Sequence, residues 1–314
     1  MDMEHAPLVS VLMSIYKESV DVVSKAIDSI REQTYEELEL IILLDYPEHE
    51  EMKRYLKELE LREARLHYYI NEKNMGLLFS LNKGIAYCKG SLICRMDEDD
   101  YAEPDRVAKQ VAFLQKYDLD LVGSYTNLMD MQGNLIGEIK RFPTGNQYIG
   151  RFLRYTNAIP HPTWLARKTV YERLGGYRDI NCADDYDFLI RAYLQGFKLG
   201  VVPEPLHRYR INRNGMTQQN IASQKVVSEY LARQLRQGRI FTEEEIAAYR
   251  VRRKPKEKKL VDYYAVGKRW KRGEKLTFAQ KCAFVFSGYN LVEARQRLIC
   301  KWILYQDRKF AAQK

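Results

Sequence analysis

Four times between residues 8 and 117 a short apolar run is followed by a stretch with helical spacing, and no other feature limits the fold of this chain more. Residues 8–15 (LVSVLMSI) are apolar and rich in β-branched side chains. Val22, Val23, Ala26, Ile27 and Ile30 then recur every three or four positions between Val20 and Gln33. The same alternation predicts strands at 38–44, 66–70 and 91–96, and helices near 49–62, 77–88 and 104–117, the last opened by Pro104 as a first-turn residue. Strands that are apolar almost throughout are buried on both faces, so the expectation is a mostly parallel central sheet flanked by helices. From 119 to 217 the pattern is less regular. A strand at 119–125, a turn near Gln132 and Gly133, and a helix over 184–195 continue the same domain.

In open α/β sheets ligands collect at the carboxyl ends of the strands. Here those ends read Tyr16-Lys17-Glu18, Asp45-Tyr46-Pro47 and Asp97-Glu98-Asp99-Asp100, which puts three polar clusters on one edge. Neither a G-x-G-x-x-G nor a G-x-x-x-x-G-K-[ST] pattern follows the first strand. A dinucleotide-binding fold and a phosphate-binding glycine loop are therefore not indicated. The sharpest signal is MDEDD at 96–100. Four consecutive carboxyl groups repel one another unless a cation compensates them, and carboxylate oxygens suit hard ions such as Mg²⁺ or Mn²⁺. A solvated acidic loop that caps the next helix is the alternative.

Charge is unevenly spread. Of 51 Lys+Arg and 42 Asp+Glu in the 314 residues, 23 basic and 9 acidic residues fall in 218–314, which leaves 28 basic and 33 acidic in 1–217. An acidic body therefore carries a tail of net charge +14, suited to a polyanion such as an anionic membrane surface or a nucleic acid. In the final segment Leu291, Leu298, Ile299, Trp302, Ile303 and Tyr305 gather towards one side among arginines and lysines. This segment reads either as a membrane-surface helix or as a helix packed on the body with a solvated basic face. Five cysteines without paired spacing suggest neither a disulfide framework nor a zinc knot. With no secretory signal pattern and no membrane-length apolar run, a cytoplasmic protein is expected, either free or peripheral on the inner face of the cell membrane.

Six stretches, in order over about residues 8–217, together resemble the family 2 inverting glycosyltransferases of bacterial surface-polysaccharide synthesis. They are VSVLMSIYKE (9–18), ELIILLDYP (39–47), NMGLLFSLNKG (74–84), CRMDEDDYAEPDR (94–106), GGYRDINCADDYDFLIRA (175–192) and PLHRYRINRNGMT (205–217). The resemblance implies a GT-A (nucleotide-diphospho-sugar transferase) fold over 1–217, followed by a basic helical extension over 218–314. It also implies transfer of a sugar from a UDP- or dTDP-sugar to a hydroxyl of a glycan or lipid-linked glycan acceptor, with inversion and a divalent metal (Mn²⁺ or Mg²⁺).

Position by position, Tyr16 and Glu18 match the turn that borders the nucleotide base, and Asp45 the acidic residue that meets the base edge. The family's usual Asp-Asp-Gly-Ser is here Leu44-Asp45-Tyr46-Pro47, which points to altered base recognition. Asn82, with Gly76, matches a helix that flanks the nucleotide. Asp97 and Asp99 match the D-x-D motif, the first carboxylate facing the ribose and the second a divalent metal that bridges the diphosphate; Asp100 either assists or caps the next helix. Asp185 stands at the place of the catalytic base, with Asp184 beside it. Two adjacent carboxylates raise the pKa of one, although an acidic cluster at a helix start is also favoured by the dipole alone. Arg210 is a phosphate contact or a plain surface arginine. Asn212 stands where many relatives have His, and His161 is an acceptor-side or a structural histidine.

Three other readings compete. A nucleotide-sugar-forming nucleotidyltransferase lacks its glycine-rich basic loop here. A nucleic-acid-binding protein that uses the tail leaves Asp97–Asp100 unexplained, and nucleic acid is not the expected partner. An inactive family member acting as a binding subunit would need a defect that the filled acidic positions do not reveal.

Overall fold

The computed structural model describes residues 6–137, 141–180, 183–211, 221–285 and 287–312. It divides into two compact units: Met1–Asn146 with Ala158–Arg178 and Gln195–Asn212, and Gln147–Asn157 with Asp179–Leu194 and Arg213–Lys314. Segments 147–157 and 179–194 thus group with the C-terminal helices.

The first unit holds an eight-stranded sheet. Its strands are β1 (Val9–Ile15), β2 (Leu38–Leu44), β3 (Leu66–Ile70), β4 (Leu92–Asp97), β5 (Tyr101–Ala102), β6 (Leu121–Met129), β7 (Leu165–Arg167) and β8 (Leu199–Arg210), in the order β3-β2-β1-β4-β7-β6-β8-β5. The four strands from β3 to β4 run parallel, as do β6 and β8, whereas β7 is antiparallel to β4 and β6, and β5 to β8. Helices α1 (Val20–Arg31), α2 (Glu50–Glu60), α3 (Leu77–Tyr87), α4 (Arg106–Lys116) and α6 (Lys168–Leu174) belong to this unit. All seven residues of β1 and of β2 are buried, which is why their sequences do not alternate. Even Glu39 is buried in β2, where its Oε1 accepts from Ser10 Oγ at 2.6 Å and from Lys89 N at 2.6 Å. Helix α1 closes one face with Val23, Ala26, Ile27 and Ile30, the periodic residues of the sequence pattern.

Pro104 is not a first-turn residue. Helix α4 begins at Arg106 after Asp105, because a turn intervenes in which Arg106 N bonds Glu103 O at 2.9 Å. Pro203 and Pro205 lie inside β8, where the register with β6 shifts on either side of Tyr125 and ladder N–H donors are not required.

The second unit is helical: α5 (Asn146–Phe152), α7 (Asp184–Leu194), α8 (Ile221–Gln237), α9 (Glu243–Lys271), α10 (Phe278–Val285) and α11 (Gly288–Ala311). A small core of Ala222, Val226, Tyr249 and Leu260 is ringed by Tyr230, Tyr263, Tyr264 and Tyr289, and Tyr230 stacks on Tyr249 with centroids 4.0 Å apart. Thr242 and Glu245 cap α9 reciprocally. No described helix is long and apolar enough to cross a membrane.

Candidate active site

The order β3-β2-β1-β4 contains a switch point. The chain leaves β1 towards β2 on one side, and β4 returns on the other, and in open sheets ligands bind at such a switch point, here the carboxyl ends of β1 and β4. The sequence places Tyr16 and Glu18 beyond the first of these ends and Asp97–Asp100 at the second, with Ser14 of β1 paired to Asp97 of β4. The Tyr16 amide donates to Glu98 Oε2 at 2.8 Å and ties the two strand ends together.

The acidic loop is crowded and half-buried. Burial, followed by the charges of Asp99, Glu18 and Asp97, pushes the Glu98 carboxyl up to about 8. Burial, followed by Asp100, Asp97 and Glu18, pushes Asp99 up to about 8 as well. Buried cations brace the loop from beneath. Arg95, 2% exposed, pairs with Asp97 Oδ1, and its Nη1 reaches the Leu12 and Met96 carbonyls. Arg106 is fully buried and donates to the carbonyls of Arg95 at 2.7 Å and Pro162 at 2.8 Å, to Gln110 Oε1 at 3.0 Å and to His207 Nδ1 at 3.0 Å. An arginine only donates, so His207 Nδ1 accepts and its Nε2–H donates to Asp100 Oδ2 at 2.7 Å. Burial holds that imidazole well below its ordinary pKa, which keeps it neutral in this role. Asp100, whose carboxyl burial drives well up, also accepts the Arg210 amide at 2.8 Å.

Arg210 is 6% exposed and donates to the carbonyls of Asp99 at 2.6 Å, Asp130 at 2.9 Å and Met131 at 2.8 Å. Its charge is delivered to the backbone of the acidic loop. Asp45, also buried, accepts from Asn71 Nδ2 and the amides of Met75 and Gly76, each at 2.8 Å, and so fixes the turn that starts α3. Gly76 holds φ +88 there, a left-handed conformation that suits glycine. Asn82 bonds Tyr177 through both backbone groups, its Nδ2 to the carbonyl and its Oδ1 from the amide, at 2.8 Å each. A Cβ on Gly176 would fall 2.4 Å from that Oδ1. His161 bonds Tyr177 Oη at 2.8 Å and meets Trp164 edge-on, a packed aromatic setting that fits the structural reading. The Tyr16 ring sits edge-on to Tyr46 with centroids 5.6 Å apart, Lys17 Nζ lies 4.8 Å from the Tyr46 centroid, and Asn74 donates to Tyr16 Oη at 3.1 Å.

In the second unit Asp184 and Asp185 form the first turn of α7. Burial, followed by the charge of Asp185, pushes Asp184 up to about 7. Asp185 Oδ2 accepts from Asn157 Nδ2 at 2.7 Å and its Oδ1 from the Tyr186 amide at 2.7 Å. Asn212 lies outside the described residues.

Residues 10–175 match the family model described as glycosyl transferase family 2. The chain belongs to that family. The O-antigen biosynthesis glycosyltransferase WbnJ of Escherichia coli is 32% identical to this transferase over 239 residues, which is 75% of this chain and 91% of WbnJ. Among solved structures, the mannosyltransferase PcManGT of Pyrobaculum calidifontis, in complex with GDP-Man and Mn²⁺, aligns with a TM-score of 0.61. That alignment has 16% identity and covers 97% of this chain and 88% of PcManGT. Staphylococcus aureus TarS 1-349, in complex with UDP, aligns with a TM-score of 0.58 and 16% identity over 77% of this chain and 69% of TarS. The fold of this transferase is therefore GT-A.

Among the described residues no three His, Cys, Asp or Glu side chains gather closely enough to enclose a metal by themselves. The acidic loop fits a cation of another kind. Mg²⁺-like ions take one or two protein carboxylates and fill the rest of their shell with water and substrate phosphate. Burial and then the neighbouring carboxylates favour the proton on Asp99, and a cation at that group would take the proton's place.

Sequence reasoning passed over Arg95, Arg106 and His207. An arginine inside an apolar strand and another on the apolar face of α4 were the available signals. His207 has no local signal, because its partners lie 101 and 107 residues away.

Proposed function

We propose that this glycosyltransferase moves a sugar from a UDP- or dTDP-sugar to a hydroxyl of a growing surface glycan, free or lipid-linked, with inversion, in the cytoplasm. The observation that carries the proposal is the acidic loop of Asp97, Glu98, Asp99 and Asp100, braced by buried Arg95, Arg106 and Arg210 at the β1–β4 switch point. Membership of family 2 and the likeness to an O-antigen enzyme support the choice of substrate class.

Asp99, with Asp97, would hold a divalent cation, Mn²⁺ or Mg²⁺, which when bound supplies positive charge to a leaving nucleoside diphosphate. Tyr16 and Glu18 border the base, and Asp97 faces the ribose. Asp45, Asn82 and Arg210 act on the donor indirectly, through the turn at Gly76, the segment at Tyr177 and the backbone of Asp99. Asp185 takes the proton of the acceptor hydroxyl, with Asp184 beside it. Catalysis is assigned to residues 1–217, and 218–314 forms a basic helical extension.

Calorimetric titration of the full chain with UDP, dTDP, GDP and ADP, each with and without Mn²⁺, tests the proposal. A pyrimidine diphosphate is expected to bind with Mn²⁺ only, and the Asp99→Ala variant is expected to lose that binding. Equal binding by wild type and Asp99→Ala would sink the metal assignment, and a preference for GDP would replace the donor class.

A further inference from the structure

None of the residues placed in the catalytic proposal lies beyond residue 211, and the outer face of α11 carries large exposed apolar side chains. At 3.6 residues per turn, Glu293, Gln296, Cys300, Ile303 and Asp307 follow one another at steps of three and four and form its inward face. Ile303 is 2% and Asp307 4% exposed, Glu293 accepts from Tyr264 Oη at 3.0 Å, and Gln296 accepts from Lys225 Nζ at 3.0 Å. The same arithmetic places Leu291, Leu298, Trp302 and Tyr305 on the opposite stripe, where they are 67%, 69%, 57% and 61% exposed. The sequence pattern had grouped Ile299 and Ile303 with these residues; the structure separates them.

Charge is sorted in the same way. Arg295, Arg297, Lys301, Arg308 and Lys309 are all exposed, while the only acids of this helix, Glu293 and Asp307, lie on the inward face. Glu293 reaches Arg297 Nη2 at 3.5 Å. The outward side of α11 is thus an apolar stripe beside cations, of which Arg297 alone reaches an acid of this helix. A symmetric contact with a second copy would bring like charges together, and a nucleic acid would leave the apolar stripe unused. A surface that is apolar within and anionic at its rim satisfies both halves, and a helix too polar to cross a bilayer lies along it.

We propose that α11 docks in the plane of an anionic lipid bilayer, with Leu291, Leu298, Trp302 and Tyr305 entering the headgroup boundary and Arg297, Lys301 and Arg308 against lipid phosphates. The inference goes beyond the catalytic proposal and survives if that proposal fails.

The test is flotation of the full chain with vesicles of phosphatidylcholine alone and of phosphatidylcholine mixed with phosphatidylglycerol. Wild type is expected to float with the mixed vesicles, less so in high salt. Leu298→Ser with Trp302→Ser, and separately Lys301→Glu with Arg308→Glu, should each weaken binding about tenfold or more. All four positions are exposed, so the fold should be retained. Leu61→Ser, which removes a leucine 83% exposed in the first unit, should change nothing. Vesicle binding unchanged in both double variants, or no binding by wild type, overturns the proposal. So does a wild-type dimer in sedimentation equilibrium that dissociates in the Leu298→Ser/Trp302→Ser chain.

Discussion

The two carboxylate clusters of this transferase are built in different ways. Asp97–Asp100 gathers four acids at a strand end over buried arginines and a neutral histidine, so its charge is managed by long-range partners assembled from β4, α4 and β8. Asp184 and Asp185 sit on the first turn of a helix and are held by amides, those of Asn157, Ile180 and Tyr186. In the first cluster acidity is weakened by burial and by three other carboxylates, Asp100, Asp97 and Glu18; in the second, by burial, then Asp185 and Asp179. A crowd of anions suits a cation. The Asp184 carboxyl, poised near neutrality beside Asp185, suits proton exchange.

Three changes would sharpen or break that contrast. The largest effect is expected from Asp185→Asn: kcat should fall about 10²–10⁴-fold while donor affinity holds, as for a base used only in the transition state. Steady-state kinetics with varied donor would show it, and a rise in donor KM at constant kcat would move Asp185 out of the chemistry.

Next comes His207→Leu, which strands an Asp100 oxygen and an Arg106 N–H in the interior. It should cost about 1–3 kcal/mol of stability, read from the urea midpoint. A midpoint equal to wild type would mean that the buried brace is dispensable.

The smallest effect is a slope. Asp184 stands at about 7 in the folded protein and near the ordinary carboxylate value when unfolded, so the folded state keeps a proton that the unfolded chain releases. Its contribution to stability is complete below about pH 4 and lost as pH rises through 7. Melting temperatures across that window should fall less steeply in Asp184→Asn, and parallel curves would contradict the shift.

The parallel half of the sheet was legible in the sequence because fully buried strands announce themselves locally: VSVLMSI and LELIILL need no partner to be recognised. The acidic loop was legible for the same reason, since its four carboxyl groups are consecutive. What escaped was assembled across distance. His207 matters through Arg106 and Asp100, and neither pairing leaves a periodic trace. Asp45 stood out on the ligand edge, and Asn82 and Arg210 through the family resemblance, but their hydrogen-bond partners were not legible, and those partners are largely backbone groups. The apolar side of α11 was visible as composition. Which of its residues turn inward depended on helices more than 25 residues away.

The two prolines of β8 bear on the behaviour of the protein in concentrated solution. On the side of β8 away from β6, Asn146 Oδ1 and the Thr144 carbonyl take the amides of Leu199 and Val201, and β5 pairs with His207 and Arg208, so among the described residues the stretch 203–205 between them forms an outer rim of the sheet. Pro203 and Pro205 remove donors from that rim, and Glu204 between them is exposed and tied to Lys109 at 2.5 Å. A neighbouring strand that sought to extend the sheet there would meet missing hydrogens and a fixed charge. This stretch of β8 is thereby protected against edge-to-edge aggregation by its own sequence.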